Sequence, residues 1–316
     1  MKMNFKLNRE TAAALLMAST LLNYSAVAQS SSSAILYDSA GSGDRTAGRS
    51  NDWSMSVSAN YSAVAAGKVS FDGAKGNSGA QSANANITAV IPVNDKWFVP
   101  MGIGSRHDFL GNPGGAPIPD QIDTLGFNAG VGYHFNEQWT LIGSLGPRLY
   151  RLDDLTSSDI GVGGMIRATY RWKPNLTIAL GIAFDPDRDV PVLPAAGMRW
   201  GIQTNLTLSL MFPKSGLDYR VAPRLNLFAG GDGNFTVFCA EKDLGDKIGL
   251  PQFNNGLGTY RDFRIGVGAE YRIVRGLSAA VEGGESFGRE IDYARIGETV
   301  KFGSAPYIQA GLKCRF

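Results

Sequence analysis

Residues 52–63 read DWSMSVSANYSA, and apolar or aromatic residues occupy every second position of this stretch. Trp53 and Tyr61 belong to the apolar phase, whereas Asp52 and Asn60 belong to the polar phase. A period of two residues predicts a β-strand, because successive side chains of a strand point to opposite faces.

The same alternation recurs along the chain and divides it into fourteen segments, although a count of twelve also fits. Repeated segments of about ten residues with this period are typical of membrane-spanning β-barrels. We therefore predict an all-β fold, an antiparallel up-and-down transmembrane barrel. The predicted strands cover residues 52–64, 80–92, 96–107, 121–135, 138–151, 159–172, 175–185, 190–202, 205–213, 217–229, 233–240, 259–274, 276–287 and 304–316.

The connections between these segments alternate in length. Tight turns such as 94–95 and 275–276 alternate with longer links, and Trp97, Trp139 and Tyr170 flank the tight turns. Short turns at one rim and long loops at the other are the outer-membrane pattern. Trp and Tyr favour the headgroup level, so they place the tight turns at a membrane surface. The predicted long loops are 65–79, 108–120, 152–158, 241–258 and 288–303.

The N-terminus has the features of a secretory signal. Three basic residues precede a short apolar run at 11–22, and an A-x-A site ends at Ala28. We predict that residues 1–28 are a signal peptide cleaved after Ala28, which places the protein in a Gram-negative envelope. Residues 29–51 are rich in Ser, Gly and Asp and predict a flexible N-terminal segment, and residues 52–316 form the barrel.

Charge and cysteine content limit the possible functions. The formal net charge of +2 falls to zero without the predicted signal, which carries three Lys/Arg and one Glu. A neutral chain argues against nucleic-acid binding, which requires a basic face. The only cysteines, Cys239 and Cys314, fall in the predicted lipid-facing phase near opposite rims. They are too far apart in this strand map for a disulfide.

Strand phase also sorts the charged residues. A Lys or Arg facing lipid at mid-depth costs about 2–4 kcal/mol, so charges within strands are expected to face the lumen. Such a set could select anions as a charged ring, or could pair internally and fill the barrel. Both alternatives remain open. The candidate lumen-lining residues are Arg106, Arg148, Arg167, Arg199, Arg220, Arg224, Arg264, Glu270 and Glu282.

No motif indicates an enzyme. The two histidines, His107 and His134, have no serine in a G-x-S-x-G setting nearby, so we predict no catalytic residues. The acidic stretch around Asp185 and Asp187 has alternating carboxylates but lacks the Gly and Glu of a calcium loop, and is predicted to be a solvated hairpin tip. We predict no metal site and no cofactor.

Two stretches resemble known bacterial proteins. The last strand, which ends in Phe316, resembles the assembly signal of bacterial outer-membrane barrels. Residues 192–200, VLPAAGMRW, together with Phe212-Pro213 and Tyr219-Arg220, resemble a family of outer-membrane barrel domains of unknown function. The resemblance spans roughly residues 120–316. It implies the fold and the location and supplies no functional residues.

These features predict an outer-membrane barrel that contacts lipid and is inserted by the barrel-assembly machinery. The first functional hypothesis is a passive, porin-like channel for small polar or anionic solutes. The alternative is a non-conducting barrel that acts in adhesion, envelope structure or partner binding through its long loops. The oligomeric state is left open.

Overall fold

The computed structural model describes residues 53–72, 74–153, 155–187 and 191–316. The predicted signal and the segment 29–51 lie outside these residues. The described chain forms one antiparallel sheet that closes on itself through pairing of β1 with the last strand. The strands are β1 (Ser54–Phe71), β2 (Ala74–Pro92), β3 (Trp97–Leu110), β4 (Gln121–His134), β5 (Trp139–Leu149), β6 (Ile160–Lys173), β7 (Leu176–Phe184), β8 (Val192–Gln203), β9 (Leu206–Met211), β10 (Lys214–Ala222), β11 (Leu225–Cys239), β12 (Leu257–Val274), β13 (Leu277–Tyr293), β14 (Glu298–Phe302) and β15 (Ala305–Arg315).

Strands β14 and β15 are two halves of one strand. Both pair with β13 on one side and β1 on the other, with an interruption at Gly303-Ser304. The barrel wall therefore has fourteen strands, and the predicted all-β class and strand number are confirmed. Helix α1 (Leu244–Ile248) lies in the connection between β11 and β12. Among the described residues, no helix is long and apolar enough to cross a membrane.

The outer face of the barrel is apolar and ends in an aromatic girdle. Ile166 and Val267 expose 57% and 65% of their surface on this face. At the short-turn rim, the Trp97 and Tyr133 rings lie 4.5 Å apart and the Trp139 and Tyr170 rings 4.6 Å apart. An apolar belt bordered by aromatic residues is the outer surface of a transmembrane barrel.

Three neighbouring strands are irregular at the same height. β1 bulges after Val64, β13 bulges after Phe287, and the last strand is interrupted before Ala305. Between the short-turn rim and this height, Ser54–Val64, Leu277–Phe287 and Ala305–Arg315 contain 11 residues each. A spanning strand needs about 9–11 residues, so this height marks the upper membrane boundary.

The bulges reverse which residues of each strand face the interior. Below the bulge of β1, Ser62 faces the interior; above it, Val69 and Phe71 do. In β13, Ile291 and Tyr293 lie above the bulge and are fully buried. An extra residue shifts the side-chain phase by one, so apolar residues face lipid in the membrane and the interior above it.

The long-loop half of the barrel is consequently filled by a hydrophobic core. Its members come from β1–β4, β11–β15 and the connections that follow β3 and β11. The predicted loops 65–79 and 288–303 are wrong in large part, because β1, β2, β13 and β14 extend through them. We call this set the mouth core; it includes Val64, Val69, Phe71, Ile118, Ile122, Phe238, Leu244, Phe253, Tyr260, Ile291, Tyr293, Val300 and Phe302.

The predicted boundary between the tenth and eleventh strands is wrong. The chain turns at Pro223-Arg224, inside the predicted strand 217–229, and β11 continues without a break through the predicted link at 230–232. A bulge between Arg220 and Ala222 offsets the phase shift of this two-residue turn, so odd residues face outward on both strands and the alternation passes through unchanged. The Gly230-Gly231 pair is typical of a turn, but both residues lie within the continuous strand β11.

The hairpin of β9 and β10 is short and alters the wall around it. It turns at Phe212-Pro213, and β9 pairs with β8 only from Gly197 to Gln203. Above this turn, β11 is buried on both faces and reaches the β5 side, where the Cys239 amide donates to the Tyr150 carbonyl at 2.9 Å. Above Asp232, β11 stays paired with β12 but has no partner in β10, and its other edge meets the β5 side of the mouth.

Candidate functional site in the barrel lumen

The long-loop rim is closed by contacts between connections from different sides of the barrel. The Tyr293 hydroxyl donates to the Pro117 carbonyl at 2.9 Å. The Arg151 guanidinium donates to the Ala240 carbonyl at 3.0 Å. These bonds join the connections that follow β3, β5, β11 and β13, so the mouth core has a polar lid above it.

A buried carboxylate supports this lid. Asp159 accepts from the Thr156 hydroxyl at 2.6 Å, the Thr156 amide at 2.7 Å and Arg151 at 2.9 Å. Burial alone would raise the pKa of Asp159, but these hydrogen bonds outweigh it and lower the pKa to about 2. Asp159 is therefore ionised at neutral pH and holds Arg151 in place.

A polar cavity of about 230 Å³ lies within the barrel. Most of its lining side chains are amides, hydroxyls and paired charges, with an apolar edge. The amide and hydroxyl residues are Asn60, Ser62, Asn84, Asn86, Ser105, Thr124, Asn234 and Gln309. The charged lining residues are Arg106, Arg148, Lys214, Asp232 and Arg264, and the apolar edge includes the side chains of Tyr150 and Val237.

Each arginine of the cavity has a carboxylate partner. Arg106 donates to Asp108 through Nε at 2.6 Å and Nη2 at 2.8 Å. Arg148 donates to Asp185 at 2.5 Å. Arg264 donates to Asp262 at 2.7 Å, and its guanidinium lies 5.2 Å from the Tyr307 ring. Asp108 and Asp262 are fully buried, so these charges are paired away from water.

The remaining cation and the amides complete the lining. Lys214 lies directly opposite Asp232 in the register of β10 and β11, where opposite charges attract. Asn60 donates to Asn84 at 3.1 Å, and Arg106 reaches across the lumen to Asn234 at 2.9 Å. The Asn234 Nδ2 is buried with no hydrogen-bond partner among the described residues.

The structure separates the predicted lumen residues into three groups. Arg106, Arg148 and Arg264 line the cavity. Arg167, Arg199, Arg220, Glu270 and Glu282 belong to the inward phase of their strands outside it: Arg167 is buried, Arg220 is exposed near the short-turn rim, and Glu282 accepts from the Tyr307 hydroxyl. Arg224 is the exception, since it is exposed in the tight turn after β10 and does not face the lumen.

Two other expectations need correction. Cys239 does not face lipid: it is 8% exposed and packs with Tyr150 and Val237 inside the mouth, because the upper part of β11 has no partner in β10 and meets the β5 side instead. Asp185 is not a solvated hairpin tip, since it is buried beside Arg148 and Tyr150. Cys239 and Cys314 are both free.

Sequence reasoning missed several cavity residues. Lys214 and Asp232 fell in predicted links, and the asparagines carry no charge to single them out. The histidines make ordinary contacts, His107 with Asp123 at 2.7 Å and His134 with Thr140 at 2.9 Å. Within the described residues, no three His, Cys, Asp or Glu side chains are grouped so as to hold a metal ion.

The fold and lumen define a closed transmembrane β-barrel with an apolar exterior and a partly filled interior. The family described as Domain of unknown function (DUF6268) matches residues 116–315, and the chain belongs to it. No curated protein matches the sequence.

Solved structures of similar shape are distant in sequence. A FadL homologue of Pseudomonas aeruginosa is 11% identical with a TM-score of 0.48, and covers 84% of this chain and 90% of its own. An outer membrane channel from Pseudomonas putida F1 is 12% identical with a TM-score of 0.46, and the match covers 86% of this chain and 99% of that one. The translocator domain of the autotransporter NalP from Neisseria meningitidis is 10% identical with a TM-score of 0.40, and the match covers 90% of this chain and 97% of that one.

Proposed function

We propose that this protein is a non-enzymatic bacterial outer-membrane channel for small polar solutes, closed at its long-loop rim in the state described. The observation that supports the proposal is the polar cavity inside a barrel whose outer face is apolar. Export through the predicted signal, cleavage after Ala28 and insertion through Phe316 are part of the proposal.

The membrane half of the lumen supports passage of polar molecules. Its inward positions carry small or polar residues, such as Ser56 and Thr88 near the short-turn rim and Asn86 at the cavity. Barrels that conduct have polar interiors, because a solute must exchange its hydration for wall contacts.

The closed end requires a movement before a solute can pass. Helix α1 and the following turn place Leu244 and Phe253 in the mouth core, and Arg151 ties this connection to the one after β5. Displacing residues 241–256 would remove Leu244 and Phe253 from the mouth core without changing the strand pairing of the barrel wall. We therefore assign the gate to this segment.

The mouth core also favours a second candidate. A barrel filled by buried apolar side chains at one end is stable without any passage, as expected of a non-conducting barrel that acts through its loops. The two candidates differ in whether removal of the mouth segment creates a pore.

Single-channel recording on refolded protein distinguishes them. One variant replaces residues 241–256 with a short Gly-Ser link, and a matched control, Lys247→Ala, removes only solvent-exposed ion pairs with Glu241 and Asp243 inside the same segment. We expect rare openings in the wild type and the control, and frequent or persistent openings in the truncated variant. Slower migration after boiling confirms that each barrel is folded. A folded truncated variant without conductance would refute the channel and leave the loop-acting barrel.

A further inference from the structure

We infer that the lumen cavity binds a single uncharged, hydroxyl-bearing molecule about the size of a monosaccharide. This inference rests on the proposed function, because it names the solute class. It differs from the expectation drawn from the arginines alone, which favoured anions.

Charge compensation in the lining is the first argument. The four cations Arg106, Arg148, Arg264 and Lys214 face the four carboxylates Asp108, Asp185, Asp262 and Asp232. An ion that enters this shell gives up its hydration and finds the three arginines already paired and Lys214 opposite a carboxylate. A neutral molecule does not incur that cost.

The uncompensated hydrogen-bonding groups are the second argument. Amide side chains offer donors and acceptors side by side, and hydroxyls can do both as well. Asn234 lines the cavity, and its buried Nδ2 lacks an acceptor among the described residues. A ligand hydroxyl can accept from a lining amide N–H and donate to a neighbouring amide oxygen, which a purely anionic group cannot do.

Size and the apolar edge complete the description. The cavity, at about 230 Å³, is smaller than the roughly 300–1,000 Å³ of sites for drug-sized ligands. Tyr150 and Val237, which are both buried, give it an apolar edge. A sugar ring or similar polyol has hydroxyls at its edge and C–H groups on its faces, so it can satisfy both sides.

Three probes of equal ring size test the inference: D-glucose, D-glucuronate and D-glucosamine. Binding is measured at equilibrium by saturation-transfer NMR and calorimetry on the refolded full-length barrel, without reference to conduction. We expect glucose to bind at least tenfold more tightly than either charged probe. Asn234→Leu should weaken glucose at least fivefold, and Asn77→Leu, at an exposed position on β2, should leave it unchanged.

Two reciprocal variants test the charge argument. Asp108→Asn leaves Arg106 without its carboxylate and should make glucuronate the tightest probe. Lys214→Met leaves Asp232 without its cation and should favour glucosamine, and it carries the test if the first variant does not refold. A wild type that prefers glucuronate would overturn the inference, as would the absence of glucose binding. A barrel that conducts but does not bind glucose would overturn this inference and leave the channel proposal intact. The two proposals can therefore be refuted independently.

Discussion

The mouth core can be opened by one substitution at its centre. Phe253 is fully buried, and its ring lies 5.1 Å from that of Tyr293 and 6.0 Å from that of Phe71, edge to face in both cases. These partners come from β13 and β1, so Phe253 joins the segment after β11 to the far wall. Phe253→Ala removes that connection and leaves the barrel pairing intact.

The expected effect is large for a local change. Replacing a buried Phe by Ala costs about 3–5 kcal/mol, through lost burial and the cavity left behind. If this cost falls on the closed mouth alone, the open population rises by about 10²- to 10⁴-fold, since 1.4 kcal/mol is a factor of ten.

Cys239 reports this opening, because it is 8% exposed and its Sγ contacts the Asn255 carbonyl of the same segment at 3.5 Å. Maleimide labelling is followed in a Cys314→Ser background. When the mouth recloses faster than the reagent reacts, the labelling rate is proportional to the open population. Labelling should therefore accelerate by at least 10²-fold in Phe253→Ala.

Phe109→Ala is the matched control. Phe109 is 47% exposed on the outer face of β3, so its truncation should change the labelling rate less than twofold. Equal labelling of both variants on folded protein would refute the mouth core as the barrier to Cys239.

Three further outcomes follow. Asp159→Asn should lower mouth stability by about 1–3 kcal/mol at pH 7, because Thr156 and Arg151 lose a charged acceptor. With a lowered pKa of about 2, this contribution is complete above the ordinary Asp pKa and is lost as pH falls towards 2, so wild type and variant should converge in Cys239 labelling by the acid-active thiol reagent 2,2′-dithiodipyridine as the labelling pH approaches 2. Ile166→Arg on the lipid face should cost about 2–4 kcal/mol and reduce the refolded fraction on an unheated gel, whereas Ile166→Val should not. Deletion of Phe316 should impair insertion in cells; normal outer-membrane levels would contradict its role as an assembly signal.

The membrane wall was predictable because its physical constraint is local. Lipid excludes charge from one face, and a strand alternates faces with a fixed period, so the phase could be read residue by residue. This is why the fourteen strands and the outward positions of Ile166 and Val267 follow from the sequence. The turn at Pro223-Arg224 escaped, because the bulge beside it keeps the alternation in phase on both strands.

The interior above the membrane was less predictable because its phase depends on the partner strand. The bulges after Val64 and Phe287 are register shifts between strands, and nothing in the alternation of one strand reveals them. Residues such as Val69 and Ile291 then have the apolar phase of a lipid-facing position but lie in a core. The filled mouth therefore depends on pairing rather than on composition.

The charge balance of the cavity, in contrast, is partly predictable from the sequence. Arg106 and Asp108 are two residues apart on β3, and Asp262 and Arg264 are two residues apart on β12. Residues at this spacing share a face of a strand, so each pair meets inside the barrel whatever its neighbours do. A count of inward arginines then overstates the positive potential of a lumen, because each such carboxylate converts a net charge into a dipole whose field falls off faster with distance. Selectivity in a barrel of this kind is better judged from the inward charges that remain after same-face pairs at this spacing have been removed.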